Sequence, residues 1–172
     1  MGGPTLGQPG LISDGNTSVL FPQDAAKRVE IPNSTSTNIV GSALTIGAWI
    51  FVTGGSGTDR QIICKASGTG ASSRKFGLYI AGGVYIPTQK DKLGFEVRTS
   101  GGHVDYVGGT ELNVNAVNFV VGVYNGNDLR IYVNGVLVGT PQVLTGTVVS
   151  NTGTMMIGLF SDGTSSPFYG RI

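Results

Sequence analysis

The stretch from Asn118 to Gly139 constrains the fold more than any other part of the chain. Phe119, Val121 and Val123 recur with a period of two, and Leu129, Ile131 and Val133 do so again after the polar run Asn125-Gly126-Asn127-Asp128. That period belongs to a strand whose successive side chains point to opposite faces. Asn134-Gly135, flanked by Val133 and Val136, reads as a two-residue turn with positive φ at both positions, which asparagine and glycine adopt at least cost. The pattern predicts a three-stranded antiparallel meander with all six alternating apolar residues facing inward.

The rest of the chain repeats this grammar. Apolar segments recur at short intervals, separated by Gly, Ser, Thr and Asn, and β-branched residues dominate them. Such spacing points to an antiparallel sandwich or barrel. Short strands are expected over 18–21, 28–31, 61–65 and 76–80, and a further one within 154–160. Leu44 to Val52 places Leu44, Ile46, Ala48, Ile50 and Val52 on one face and Thr45, Gly47, Trp49, Phe51 and Thr53 on the other, so this strand is expected to be covered on both sides, with Trp49 in the core. Leu93, Phe95 and Val97 alternate with Gly94, Glu96 and Arg98. The turn Thr99-Ser100-Gly101-Gly102 follows, then His103 and Asp105 alternate with Val104 and Tyr106. This is a hairpin with one wet face. Residues 1–17 read as an extended Gly/Pro-rich leader to a domain over 18–172.

Composition closes off several functions. With 11 basic and 10 acidic residues the net charge is +1, and no basic patch forms, which argues against a grip on a nucleic-acid backbone. No apolar run approaches the roughly 20 residues that span a bilayer, and Met1-Gly-Gly-Pro does not begin a signal-peptide pattern. Cys64 is the sole cysteine and His103 the sole histidine, which excludes an internal disulfide and any multi-cysteine zinc site. Cys64, beside Ile62 and Ile63, reads as a small buried hydrophobe rather than a nucleophile.

The segments "LTIGAWIF", "QIICKAS", "KFGLYI", "KLGFEVRTSGG", "NFVVGVYNGNDLRIYVNGVLVG" and "MMIGLFSDGTSSPFYGRI" resemble the LamG-like jelly-roll domains of the concanavalin A-like lectin/glucanase superfamily. The resemblance runs from about Asp14 to Ile172 and implies an all-β antiparallel jelly-roll sandwich. Two departures stand out. Phe21-Pro22-Gln23-Asp24 replaces a Phe-Asp-Gly of the family, which displaces a loop acid. Such domains also continue after "GRI" with one more strand, so a truncated strand or an open sheet edge, a hazard for pairing with another chain, is expected at Ile172. The leader "GPTLGQPGLISDGNTSVLF" is similar to segments that introduce these domains in phage tail and other virion proteins.

The search for chemistry starts from that resemblance. Glucanases of this fold carry Glu-x-Asp-x-x-Glu on one strand, supplying nucleophile and acid. Here the glutamates are Glu30, Glu96 and Glu111, none followed two positions later by an acid. The scrap Gly122-Val123-Tyr124-Asn125 is similar to alginate-lyase sandwiches, but their Gln-x-His and Arg-rich motifs are absent. No enzyme is expected. His103 and Asp105 could form a base and its orienting acid, although two solvated residues on a hairpin explain the pair as well. The resemblance implies calcium at the sheet rim, with Asp24 and Asp162 the favoured ligands and Asp14 and Asn16 further candidates.

Sugar sites on such sandwiches combine an exposed aromatic with polar groups for the hydroxyls. Tyr85, Tyr106, Phe168 and Tyr169 are the aromatics expected on loops or wet faces, and Arg98, His103 and Asp105 are the polar groups beside Tyr106. The expectation is a non-catalytic module for adhesion or glycan recognition, on a virion or at the cell surface, whose partner is a glycan or host surface polysaccharide. The alternative is a structural virion domain that decorates or trimerises, binding neighbouring virion chains or forming a homo-oligomer.

Overall fold

A computed structural model of the chain describes residues 3–22, 27–54, 57–68, 73–160 and 165–172. Among the described residues, fourteen strands form two antiparallel sheets packed face to face. The first is 8-stranded. Its order is β1 (Thr5–Pro9), β2 (Thr17–Phe21), β14 (Gly170–Arg171), β4 (Leu44–Val52), β9 (Val117–Tyr124), β10 (Asp128–Val133) and β11 (Val136–Leu137), with β12 (Gln142–Val143) also on β10. The second is 6-stranded, in the order β3 (Val29–Ile31), β13 (Met155–Ile157), β5 (Arg60–Ala66), β6 (Arg74–Ile80), β7 (Lys92–Thr99) and β8 (Gly102–Glu111). This is the expected jelly-roll sandwich. The core lies between the sheets, where Ile50, Leu78, Leu93, Phe95, Val120, Leu129 and Ile131 are sealed from solvent.

The meander forms as predicted, with Asn134 at φ 51° and Gly135 at φ 81°. One strand of it is turned over. Leu129, Ile131 and Val133 face inward opposite Tyr124, Gly122 and Val120, not opposite Phe119, Val121 and Val123. Both alternating sets of β9 are apolar, so periodicity alone does not choose between them. The opposing sheet does: Phe95 fills the space at Gly122, where a Cβ would come within 2.5 Å of its ring. The inward Tyr124 donates its hydroxyl to the carbonyl of Gly146.

Strand β4 is covered on one side only. Leu44, Ile50 and Val52 are buried, but Trp49 is 41% exposed and stacks on Phe119, ring centroids 4.7 Å apart. The tryptophan expected in the core therefore stands on the outer face. Within residues 1–17, Thr5–Pro9 bonds to β2 as an edge strand of the sheet. At the other terminus, Gly170 and Arg171 do not form an open edge. They lie inside the sheet, paired to β2 on one side and to β4 on the other.

Candidate functional site

The outer face of the 6-stranded sheet carries a cluster of linked polar side chains. Its floor is made by two glycines inside strands. Tyr79 lies across Gly94, where a Cβ would stand 2.3 Å from the ring. At Gly77 a Cβ would come 2.8 Å from Gln61 Nε2 and 2.8 Å from Glu96 Oε1. Glycine inside a strand marks such a close approach, because any side chain would occupy the space its neighbours use. Large polar side chains therefore lie flat along the sheet instead of standing up from it.

Register then assembles the charges. Strand pairing sets Gly77, Glu96 and Asp105 in one row and Arg98 opposite His103. Glu96 is 1% exposed, and its Oε2 accepts from Arg74 Nη1 at 3.2 Å and lies 3.3 Å from His103 Nε2. Arg74 also reaches toward Asp105 Oδ2 at 4.0 Å and covers the ring of Phe160, its guanidinium carbon 4.7 Å from the centroid. Arg98 Nε donates to the Arg74 carbonyl. Tyr79 donates its hydroxyl to Asp105 Oδ1 at 2.5 Å.

The electrostatics follow from this crowding. Burial, reinforced by the charge of Glu96, raises the Asp105 carboxyl above its ordinary value, against the opposing pull of Tyr79 and Arg74. Burial and then the neighbouring Asp105 carboxylate drive the Tyr79 phenol upward. Burial alone would lower Arg74, but Glu96 and Asp105 outweigh it and hold the guanidinium charged. Beside the cluster, a hollow of about 140 Å³ is shared by Asp105, Tyr79, Gln89 and Tyr85. Tyr85 stands on its rim, 94% exposed.

The structure sets Arg98 opposite His103, with Asp105 on the same face and Tyr85 sharing the hollow with Asp105, but it separates Tyr106 from them. Tyr106 pairs with Phe95 and faces the interior, its hydroxyl against Gly139. Alternation on β8 requires this, since neighbours in a strand cannot share a face. Phe168 is a core residue, 1% exposed and edge-to-face with Phe21 at 6.0 Å, not a loop platform. Tyr169 is half-buried in the approach to β14, part of the other sheet. The hairpin's wet face is also drier than expected, because Arg74 and His103 close over Glu96. Arg74, Tyr79 and Glu96 are the members that sequence reading missed; the in-strand glycines at 77 and 94 were the available signal. Cys64 is buried against Met156 and Phe160, as a small hydrophobe would be.

The calcium ligands Asp24 and Asp162 lie outside the described residues. Both carboxylate oxygens of Asp14 accept from Asn16, at 3.0 Å from its backbone N–H and 2.7 Å from its side chain. Among the described residues no three acidic, histidine or cysteine side chains gather together.

Comparison with solved structures finds the same sandwich repeatedly. The Ruminococcus gnavus IT-sialidase CBM40 bound to α2,3-sialyllactose is similar at TM-score 0.56 and 18% identity, over 86% of this chain and 88% of that one. Domains LG4-5 of the mouse laminin α1 chain give 0.62 and 11%, over 90% of this chain and 38% of theirs. Domain 4 of AbnA, a GH43 extracellular arabinanase from Geobacillus stearothermophilus in complex with arabinotriose, gives 0.56 and 14%, over 99% and 72%. Comparison with curated proteins by sequence finds no match. A family model of laminin G type matches residues 23–172, most of the chain. With the two-sheet topology in agreement, the chain belongs to the concanavalin A-like lectin/glucanases superfamily.

Proposed function

We propose that the chain is a non-catalytic glycan-binding module that works outside the cell or on a virion surface, and that sugar docks on the outer face of the 6-stranded sheet. The observation that carries this reading is Tyr85, fully presented on the rim of a hollow that it shares with Asp105. The apolar face of a pyranose stacks on such a ring, while its hydroxyls donate to a carboxylate and accept from arginine or histidine. Asp105 has 38% of its side chain exposed, enough to meet a hydroxyl. Tyr79 and Arg74 hold it in place, so little freedom is lost on binding. Structural neighbours bound to sialyllactose and arabinotriose support the substrate class.

The same geometry supports a binding role over a catalytic one. Glycoside hydrolysis needs two carboxylates on either side of the scissile bond. Asp105 and Glu96 are cross-strand partners, but Glu96 is sealed beneath Arg74 and His103. The virion setting draws on the leader's resemblance.

A glycan array with calcium and with chelator, followed by calorimetry on the hits, tests the proposal. Binding that Tyr85→Ala and Asp105→Asn both weaken is the expected result. No binding at millimolar sugar would overturn it. The structural reading, a module that binds only protein neighbours, draws on the apolar outer face around Trp49 and Phe119. A stable oligomer by light scattering, with no sugar binding, would favour it.

A further inference from the structure

A second site lies where β5 ends and β6 begins, and it goes beyond the glycan reading. Lys65 and Lys75 are both fully buried there. Lys65 stands opposite the core residue Phe76, so its side chain enters the inner face of the sheet. Alternation on β6 would send Lys75 to the outer face with Gly77 and Tyr79. A bulge prevents this. Ala66 pairs with Arg74 and Lys65 with Phe76, which leaves Lys75 as the extra residue. A bulge re-aims the side chain it carries, and here Lys75 arrives beside Lys65 under the loop 32–40.

The pair has no counter-charge. Arg60, equally buried, meets Asp91. Among the described residues neither lysine has an acidic partner, and both rest on neutral oxygens. Lys65 Nζ donates to Asn33 Oδ1 at 2.9 Å and to the Gly153 carbonyl at 2.6 Å, and Lys75 Nζ donates to Asn38 Oδ1 at 2.9 Å. An ammonium carries three N–H donors, of which Lys75 engages one among the described residues. Burial lowers the pKa of both groups, and the charge of Lys65 lowers Lys75 further, to about 8. Lys75 is therefore still mostly protonated at pH 7. Two like charges buried without a carboxylate are costly until an anion joins them.

Two asparagines connect this charge to the surface. Asn33 and Asn38 line a hollow of about 490 Å³ with Ser34, Thr35 and Val40, a volume within the range of about 300–1,000 Å³ of small-molecule sites. Their amide oxygens are taken by the lysines. Asn38 is fixed further: its Oδ1 accepts from the Asn151 N–H at 3.0 Å and its Nδ2 donates to Ser150 Oγ at 2.9 Å. With its oxygen held by Lys65, Asn33 keeps its amide N–H groups for a ligand, beside the hydroxyls of Ser34 and Thr35. The wall of the hollow offers donors backed by positive charge, and no carboxylate lines it.

We propose that this hollow binds an oxyanion, a sulfate or carboxylate group, attracted by Lys65 and Lys75 and bonded by Asn33, Ser34 and Thr35. Hydrogen bonds to an ionised acceptor are roughly twice as strong as neutral ones. The group can be a free ion or part of an acidic sugar, since both present the same oxygens. The Tyr85 hollow is a separate place, at the other end of β6 beside Tyr79 and Ala81.

The full chain, and Tyr85→Ala so that the glycan platform contributes nothing, are titrated at pH 7 and constant ionic strength with sodium sulfate, sodium glucuronate and glucose. Calorimetry and melting temperature are the readouts. Saturable binding of one or both anions is expected, unchanged in Tyr85→Ala, with no binding of glucose in that variant. Glucuronate binding would admit an acidic sugar as the source; sulfate binding alone would restrict the group to tetrahedral ions and sulfate esters. Lys75→Met should weaken the binding about tenfold or more, as loss of a charged hydrogen-bond partner does. Asn33→Asp supplies the missing carboxylate beside Lys65, so it should melt higher than the wild type without any anion and lose the anion response. No saturable binding at tens of millimolar of either anion would overturn the proposal. So would binding that Lys75→Met and Asn33→Asp both leave unchanged, or glucose binding in Tyr85→Ala as tight as that of glucuronate.

Discussion

Gly94→Ala is a sharp test of how the polar cluster is built. A Cβ at residue 94 would lie 2.3 Å from Tyr79 Cζ and 2.6 Å from Cε1 and Cε2. The ring is buried and cannot swing freely into solvent, so it must lift, carrying its hydroxyl away from Asp105 Oδ1. Losing a hydrogen bond to a charged group costs about 1.5–3 kcal/mol. Overpacking adds about 1–3 kcal/mol. Replacing glycine by alanine in a strand returns about 0.5–1 kcal/mol of backbone entropy. The net expectation is a loss of about 2–5 kcal/mol in urea unfolding at pH 7, obtained by combining these ranges. A double-mutant cycle sharpens the reasoning. Tyr79→Phe should cost about 1.5–3 kcal/mol alone but almost nothing in the Gly94→Ala background, where the bond is already broken. If Gly94→Ala costs less than about 0.5 kcal/mol, or if the two costs add within about 0.5 kcal/mol, the glycine is not what seats the tyrosine.

Lys75 is buried with its Nζ on Asn38 Oδ1, and burial followed by the charge of Lys65 brings its pKa from 10.5 to about 8. The unfolded chain therefore holds more protons between pH 8 and 10.5, and stability attributable to this group rises across that window. Relative to Lys75→Met, the wild type should gain about 3 kcal/mol by urea unfolding as pH climbs from 7.5 to 10.5; a flat difference would contradict the burial. Asp105 has the opposite sign. Its folded pKa is raised, so its contribution is fullest below the unfolded value of 3.8 and is lost as pH rises through the folded pKa. Relative to Asp105→Asn, wild-type stability should fall across that range, as unfolding curves taken from pH 3 to 7 would reveal. Phe95→Ala removes the ring that fills the space at Gly122 and should cost about 3–5 kcal/mol in the same assay. Tyr85→Ala, at an exposed ring, should leave stability within about 0.5 kcal/mol while abolishing measurable sugar binding by calorimetry.

Much of the fold was legible because its signals are local. Asn134-Gly135 needs only its own two φ angles, and the Thr99–Gly102 turn sets Arg98 opposite His103 without help from distant residues. The site was legible only in part. Arg98, His103 and Asp105 fall on one face by alternation, but Arg74 and Tyr79 come from a neighbouring strand, and no spacing along the chain records that Arg74 will cap Glu96. Tyr106 shows the converse: adjacency in sequence to Asp105 guarantees that the two point apart.

From its own residues the chain determines an all-β architecture, most of its strands and turns, and the lack of a glucanase carboxylate array. Those properties follow from period-two alternation, from glycine and asparagine at positive φ, and from simple spacing. Tertiary structure alone decided which face of β9 enters the core, why Trp49 stands outside it, and where Glu96 is sealed. Alternation divides a strand into two faces but cannot rank them when both are apolar. The choice falls to complementarity across the sandwich, here the ring of Phe95 against the bare Cα of Gly122.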